Sequence, residues 1–154
     1  MNLSNNFTLA ELTKSQTATR KGIDNSPTSD VIINNLRLLA SNILQPVRDN
    51  FKVPFTPSSG YRSPSLNEAI GGSATSQHSK GQAVDIEVPT IANMELAQWI
   101  VGNLTFDQLI LEYYKIDNPS AGWVHVSYVD ENSETNRHEV LSFDGKTYKK
   151  GLIV

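Results

Sequence analysis

The strongest constraint on the fold is the way two kinds of hydrophobic spacing divide the chain. Helix-type periodicity occupies the first half, and short runs of aliphatic, β-branched and aromatic residues occupy the second. That segregation predicts an α+β domain, a mainly antiparallel sheet with helices packed on one side, and argues against alternating βαβ units. Thr8-Leu9-Ala10-Glu11 has capping-box spacing and starts a short helix after Phe7. Ser26-Pro27, followed by Val31, Ile32, Leu36, Leu39, Ala40, Ile43 and Leu44, predicts a long amphipathic helix ending near Pro46. The stretch Phe51 to Ser59, broken by Pro54 and Pro57, is at most an edge strand. Ser63-Pro64 opens a short helix that Gly71-Gly72 stops.

Strands are expected at Ala83 to Val88, Gln108 to Tyr114 and Trp123 to Val129, with a helix from Asn93 to Gly102. Asp144-Gly145 between His138 to Phe143 and Lys146 to Tyr148 is a two-residue hairpin signal. No repeat or linker interrupts the 154 residues, so one domain over 1–154 is expected.

Composition narrows the chemistry. With no cysteine, a disulfide scaffold, a thiol nucleophile and Cys-ligated metal are excluded, and any metal site must draw on Asp, Glu and three histidines. A net charge of −3 and a pI near 5.5 argue against nucleic acid or an anionic membrane as partner. No stretch approaches the roughly 20 apolar residues of a membrane span. Met1 to Asn6 lacks the basic start and apolar run of a secretory signal, so synthesis in the cytoplasm is expected. A substrate elsewhere then needs a separate route of delivery.

The polar, Gly- and Ser-rich segment from Ser58 to Gln82 runs into an apolar strand whose first charged residue is Asp85. A carboxylate in such a strand needs a partner, because an unpaired buried charge is costly. His78, seven residues upstream across a Gly-containing turn, is one candidate, and Arg62 is another. Alternation in Trp123-Val124-His125-Val126-Ser127 puts His125 on the face of Trp123 and Ser127. Two imidazoles and one carboxylate form a three-ligand zinc set with an open position. Taken singly, His125 in a strand is more often a core or rim residue than a ligand, Arg62 a surface or ion-pair residue, and Tyr61, Trp123 and Tyr128 packing.

The joint pattern goes further. Ser76-x-His78-x-x-Gly81-x-Ala83-x-Asp85, followed by Trp123-Val124-His125-Val126-Ser127 and preceded by Ser59-Gly60-Tyr61-Arg62-Ser63, resembles the zinc D-alanyl-D-alanine carboxypeptidase family. That family includes phage peptidoglycan endopeptidases and shares its fold with hedgehog domains; the similarity is greatest to its compact branch and runs from about Phe7 to about Tyr128. The resemblance implies a zinc site on the sheet face, one zinc per chain, with His78, Asp85 and His125 as ligands. It also implies a zinc peptidase acting on bacterial peptidoglycan stem or crosslink peptides. Without a signal peptide or an obvious wall-binding module, a phage lysin released by a separate pore-forming holin, or a phage structural lysin, is expected, as is a monomer. A cytoplasmic D-Ala-D-Ala dipeptidase and a non-catalytic hedgehog-like zinc module are the alternatives.

Family members often place an acidic general base three positions before the last histidine. Gly122 stands there, and Ala121 before it. Glu112, on the strand preceding that of His125, is the expected replacement, with Asp130, Glu131 and His138 as fallbacks. Arg62 matches the family arginine beside the bound peptide and is expected in substrate binding and catalysis, its fork of donors suiting a carboxylate or an oxyanion. Ser76 is expected to offer its hydroxyl to substrate from an extended segment, Tyr61 and Trp123 to wall the cleft, and Gly81 and Ala83 to make room for the turn and strand.

Overall fold

A computed structural model describes residues 1–131 and 135–153. Helix α1 (Leu9–Thr13) begins at the Thr8 capping box: Thr8 Oγ1 accepts from Glu11 N–H, and Glu11 returns its carboxylate to Thr8 N–H. A second short helix, α2 (Gln16–Lys21), lies between the Ser15 cap and Gly22. Its sequence, QTATRK, has no apolar stripe, which is why periodicity does not announce it.

The long helix does not stop at Pro46. After α3 (Asp30–Leu39) the chain makes a π-helical segment (Ala40–Leu44) and continues as α4 (Gln45–Phe51), ending at Lys52 with φ 58°. Proline lacks an N–H and crowds the carbonyl four residues back, but here it falls at the start of a fresh α-helical turn. The widened turn before it, in which Gln45 N–H reaches Ala40 O, absorbs the mismatch. Leu36, Leu39, Ile43, Leu44 and Val47 are thereby carried along one buried stripe.

Helix α5 (Pro64–Ala69) follows its Ser63 cap, and α6 (Asn93–Asn103) precedes the second strand. The strands are β1 (Ala83–Ile86), β2 (Gln108–Glu112), β3 (Trp123–Ser127), β4 (Glu139–Phe143) and β5 (Tyr148–Lys150), in the order β1-β3-β2-β4-β5. Three of the four pairings are antiparallel and β2–β4 is parallel. Strand β2 ends two residues earlier than expected because Tyr113 turns to φ 58°. The final hairpin is wider than a two-residue turn: Phe143 pairs with Tyr148, and Asp144 Oδ1 accepts from the N–H groups of Lys146 and Thr147. Before β1, the Phe51 to Ser59 stretch makes only a single bridge, Ser59 to Asp85.

Register decides which side chains meet. Val84, Ile86, Leu109, Leu111, Val124 and Val126 share one face and join the α3, α4 and α6 residues in the core. Helices thus cover one side. Asp85, Ile110, Glu112, Trp123 and His125 alternate to the other, which is left for the site.

Candidate metal centre

Asp85 and His125 are register partners on β1 and β3, and His125 faces Ile110 on β2. One row further along, Trp123 faces Glu112. His78 arrives from outside the sheet, on a 3-10 turn (Gln77–Lys80) that Gly81 closes with φ +72°. A side chain at Gly81 would be strained by that φ and would press on the Ile32 carbonyl at 2.9 Å, so the motif glycine is a space requirement.

The three groups converge. His125 Nδ1 lies 3.0 Å and His78 Nε2 3.5 Å from Asp85 Oδ1, and the two rings are 5.2 Å apart. His78 Nδ1 is 2.8 Å from the Gly60 carbonyl, an acceptor that assigns the proton to Nδ1 and leaves the Nε2 lone pair facing the site. Burial alone would raise the pKa of Asp85, but hydrogen bonds and charge from His125 and His78 reverse this and hold its carboxyl far below the ordinary range. Among the described residues these three are the one set of His, Asp and Glu groups whose ligand atoms lie within 4.8 Å of one another. An ionised carboxylate and two imidazole nitrogens are the donor set zinc takes in catalytic sites.

Arg62 flanks the set. Its NH2 is 3.6 Å from Asp85 Oδ2, and its Nε donates to Ser59 Oγ at 3.2 Å. The backbone fixes this corner as well: Arg62 N–H reaches His78 O, Ser58 N–H donates to Asp85 O, and Asp85 N–H donates to Ser59 O.

Glu112 lies across the sheet face from them, half-buried, with its Oε2 accepting from Trp123 Nε1 at 2.6 Å. Burial and the Asp85 charge raise its pKa, against opposing effects from His125, the Trp123 bond and Arg62. The same corner explains why no acid stands at position 122. Gly122 has φ +75°, and a Cβ there would drive into the Glu112 carbonyl. Asn93, 1% exposed, holds this bend through the carbonyls of Ala121 and Gly122.

An open hollow joins these residues, bordered by Ser76, Gln77 and Arg62 on one side and by Trp123, Arg137 and Tyr148 on the other. Two expected contributors change place. Tyr61 is 2% exposed and belongs to the core, because its N–H is tied to Leu12 O and its ring points inward, so it does not wall the cleft. Ser76 borders the hollow, but it caps the 3-10 turn, its Oγ accepting from His78 N–H at 3.2 Å, and is not part of an extended run. Asp130, Glu131 and His138 do not line the hollow; the His138 ring packs on Phe106 at 4.1 Å.

The family model Peptidase M15 matches residues 5–127, which takes in every residue of the ligand set and Glu112. The chain belongs to the M15 peptidase family. Its α+β fold is that of M15 peptidases, and these enzymes are zinc-dependent. No curated protein matches the chain.

Sequence reading missed a second charged group of this M15 domain: Asp107, 2% exposed, with Gln77 and Arg137 bound to it. Its partners stand 30 residues away on either side, so no local spacing could have joined them.

Proposed function

We propose that the chain is a zinc-dependent peptidase that hydrolyses a peptide bond in the stem or crosslink peptides of bacterial peptidoglycan. The observation that carries this reading is the convergence of His78, Asp85 and His125 with Glu112 on one open sheet face in an M15 domain. His78 Nε2, Asp85 and His125 would hold the ion. Zinc bound there supplies Lewis acidity, making water easier to deprotonate and a carbonyl easier to attack.

Glu112 is the general base. Its Oε2 is tied to Trp123, so Oε1 is the oxygen that takes the proton from the attacking water and later returns it to the leaving amine. Half-burial keeps its proton affinity above that of an exposed carboxylate, which suits a group that must both accept and return a proton. Arg62, set beside Asp85 and Ser59, directs its guanidinium to the substrate carbonyl or carboxylate. The polar edge at Ser76 and Gln77 and the aromatic edge at Trp123 and Tyr148 give an extended peptide a groove across the site.

Within this reading, the resemblance to the compact branch favours a lytic role at the cell wall of a phage host. Mass spectrometry of purified peptidoglycan after digestion by the zinc-loaded protein tests it: a new terminus that chelator abolishes is expected. Fragments identical to the undigested control, from protein shown to contain zinc, would remove the proposal and favour a hedgehog-like binding module.

A further inference from the structure

The hollow that holds the metal-ligand set continues onto a charged cluster in which Asp107 lies within the matched residues and Arg137 beyond them. Arg137 grips Asp107 with a side-on fork, Nε to Oδ1 and NH2 to Oδ2, both at 2.9 Å, and its own backbone N–H adds a third bond to Oδ1 at 3.1 Å. Gln77 Nε2 holds Asp107 Oδ2 at 2.9 Å, which ties the cluster to the turn that presents His78. Asp107 is itself pinned by its backbone, between Ser127 and Glu139.

That fork uses one edge of the guanidinium. Among the described residues the end formed by NH1 and the outer side of NH2 takes no hydrogen bond, on a side chain 55% exposed at the border of the hollow. Among the described residues Glu139 is the one competitor near it, and its Oε1 stops 3.8 Å from NH1, beyond hydrogen-bonding distance, while Gln108 Nε2 holds the same oxygen at 2.6 Å. A guanidinium whose rotamer is already fixed, with donors left over on a side chain that borders the hollow, is organised for a second carboxylate.

We propose that Arg137 binds a free carboxylate of the peptide substrate and sets the enzyme's preference for acidic peptides, an inference that rests on the peptidase reading above. The carboxylate could come from a side chain or from a chain terminus. Three peptides of one sequence separate these sources: one with both groups free, one with the side-chain carboxylate amidated, and one with the terminus amidated.

The test compares KM and kcat for wild type, Arg137→Gln, Arg137→Lys and Glu139→Gln, all zinc-loaded and checked by thermal melting. In the wild type, one amidation should raise KM by about tenfold or more, the loss expected for a charge-assisted bond pair, and it names the source. Arg137→Gln should raise KM equally on the free peptide and do nothing further to the KM of the amidated one. Arg137→Lys, keeping the charge without the fork, should fall between. Glu139→Gln removes the competitor and should lower KM, a gain that a merely structural ion pair would not give.

Equal KM values for the three peptides in the wild type, or an equal loss on all three in Arg137→Gln, would overturn the proposal. If no peptide is cleaved, calorimetric binding of the same peptides decides it. A carboxylate preference that Arg137→Gln erases keeps the site while the peptidase reading fails, and indifference removes both. Should Arg137→Gln not fold, Glu139→Gln and Arg137→Lys carry the comparison.

Discussion

Trp123 Nε1 donates to Glu112 Oε2 at 2.6 Å across the β3–β2 register, so the indole that borders the cleft also fixes the carboxylate proposed as the general base. Replacing Glu112 with Gln keeps the shape and the acceptor for Trp123 but removes the proton acceptor. Turnover should fall by about a hundredfold or more with zinc content unchanged. Trp123→Phe removes a bond that favours the ionised carboxylate, so the acid limb of kcat/KM should move to higher pH. Steady-state kinetics across pH, alongside metal analysis, checks both; near-full activity in Glu112→Gln would exclude it as the base.

The same residue should tax stability. A carboxyl whose pKa is raised on folding binds its proton more tightly in the native state, so its contribution is intact below its ordinary value of 4.5 and is lost as pH rises through the folded value. Metal-free Glu112→Gln should therefore melt higher than metal-free wild type at about pH 7 and show little difference near pH 4. Melting curves of the chelated proteins at the two pH values provide the measurement, and an unchanged difference between them would contradict it.

How far the sequence foretells this site depends on the range of each interaction. The 3-10 turn, its closing glycine and the strand bearing Asp85 lie within ten residues, Ser76 to Asp85, and their motif is legible as a unit. His125 and Glu112 could be placed on one sheet face because strand alternation is local, although their pairing needed the β2–β3 register. Pro46 misled because its usual effect ends helices, whereas a π-helical turn upstream let this helix pass. Tyr61 misled because motif adjacency to Arg62 says nothing about direction: neighbouring extended residues point oppositely, and Tyr61 took the core side.

His78→Ala, Asp85→Ala and His125→Ala should each abolish hydrolysis together with zinc binding. Each leaves two of three protein ligands, and Asp85→Ala also leaves Arg62 without its 3.6 Å carboxylate partner. Zinc content after dialysis and turnover on the same preparations test this. A variant that retains both leaves the ligand set without that residue.

Arg62 makes its contacts beside the donors, to Asp85 and Ser59. For Arg62→Ala the expected outcome is full zinc occupancy with kcat/KM reduced, by about 2.7–4 kcal/mol of transition-state stabilisation if the guanidinium faces the oxyanion. Unchanged kinetics would confine Arg62 to its ion pair with Asp85.

Gly122 stands at the position where the sequence resemblance leads one to expect an acidic residue. Its φ of +75° disfavours any side chain, and a methyl group would run into the carbonyl of Glu112 and crowd that of Tyr113. Tyr113 is itself held at φ 58°, so the bend has little freedom to yield. Gly122→Ala should cost about 1–3 kcal/mol from the backbone conformation alone, with the steric contact adding to it. Gly122→Asp, which restores the commoner acid, should be worse than alanine, because its larger side chain starts from the same blocked Cβ. Denaturant melts rank the three proteins, and turnover should fall in the same order as Glu112 and Trp123 are pushed apart. An active, stable Gly122→Asp enzyme would mean that the bend relaxes and that the base can be supplied from position 122 after all.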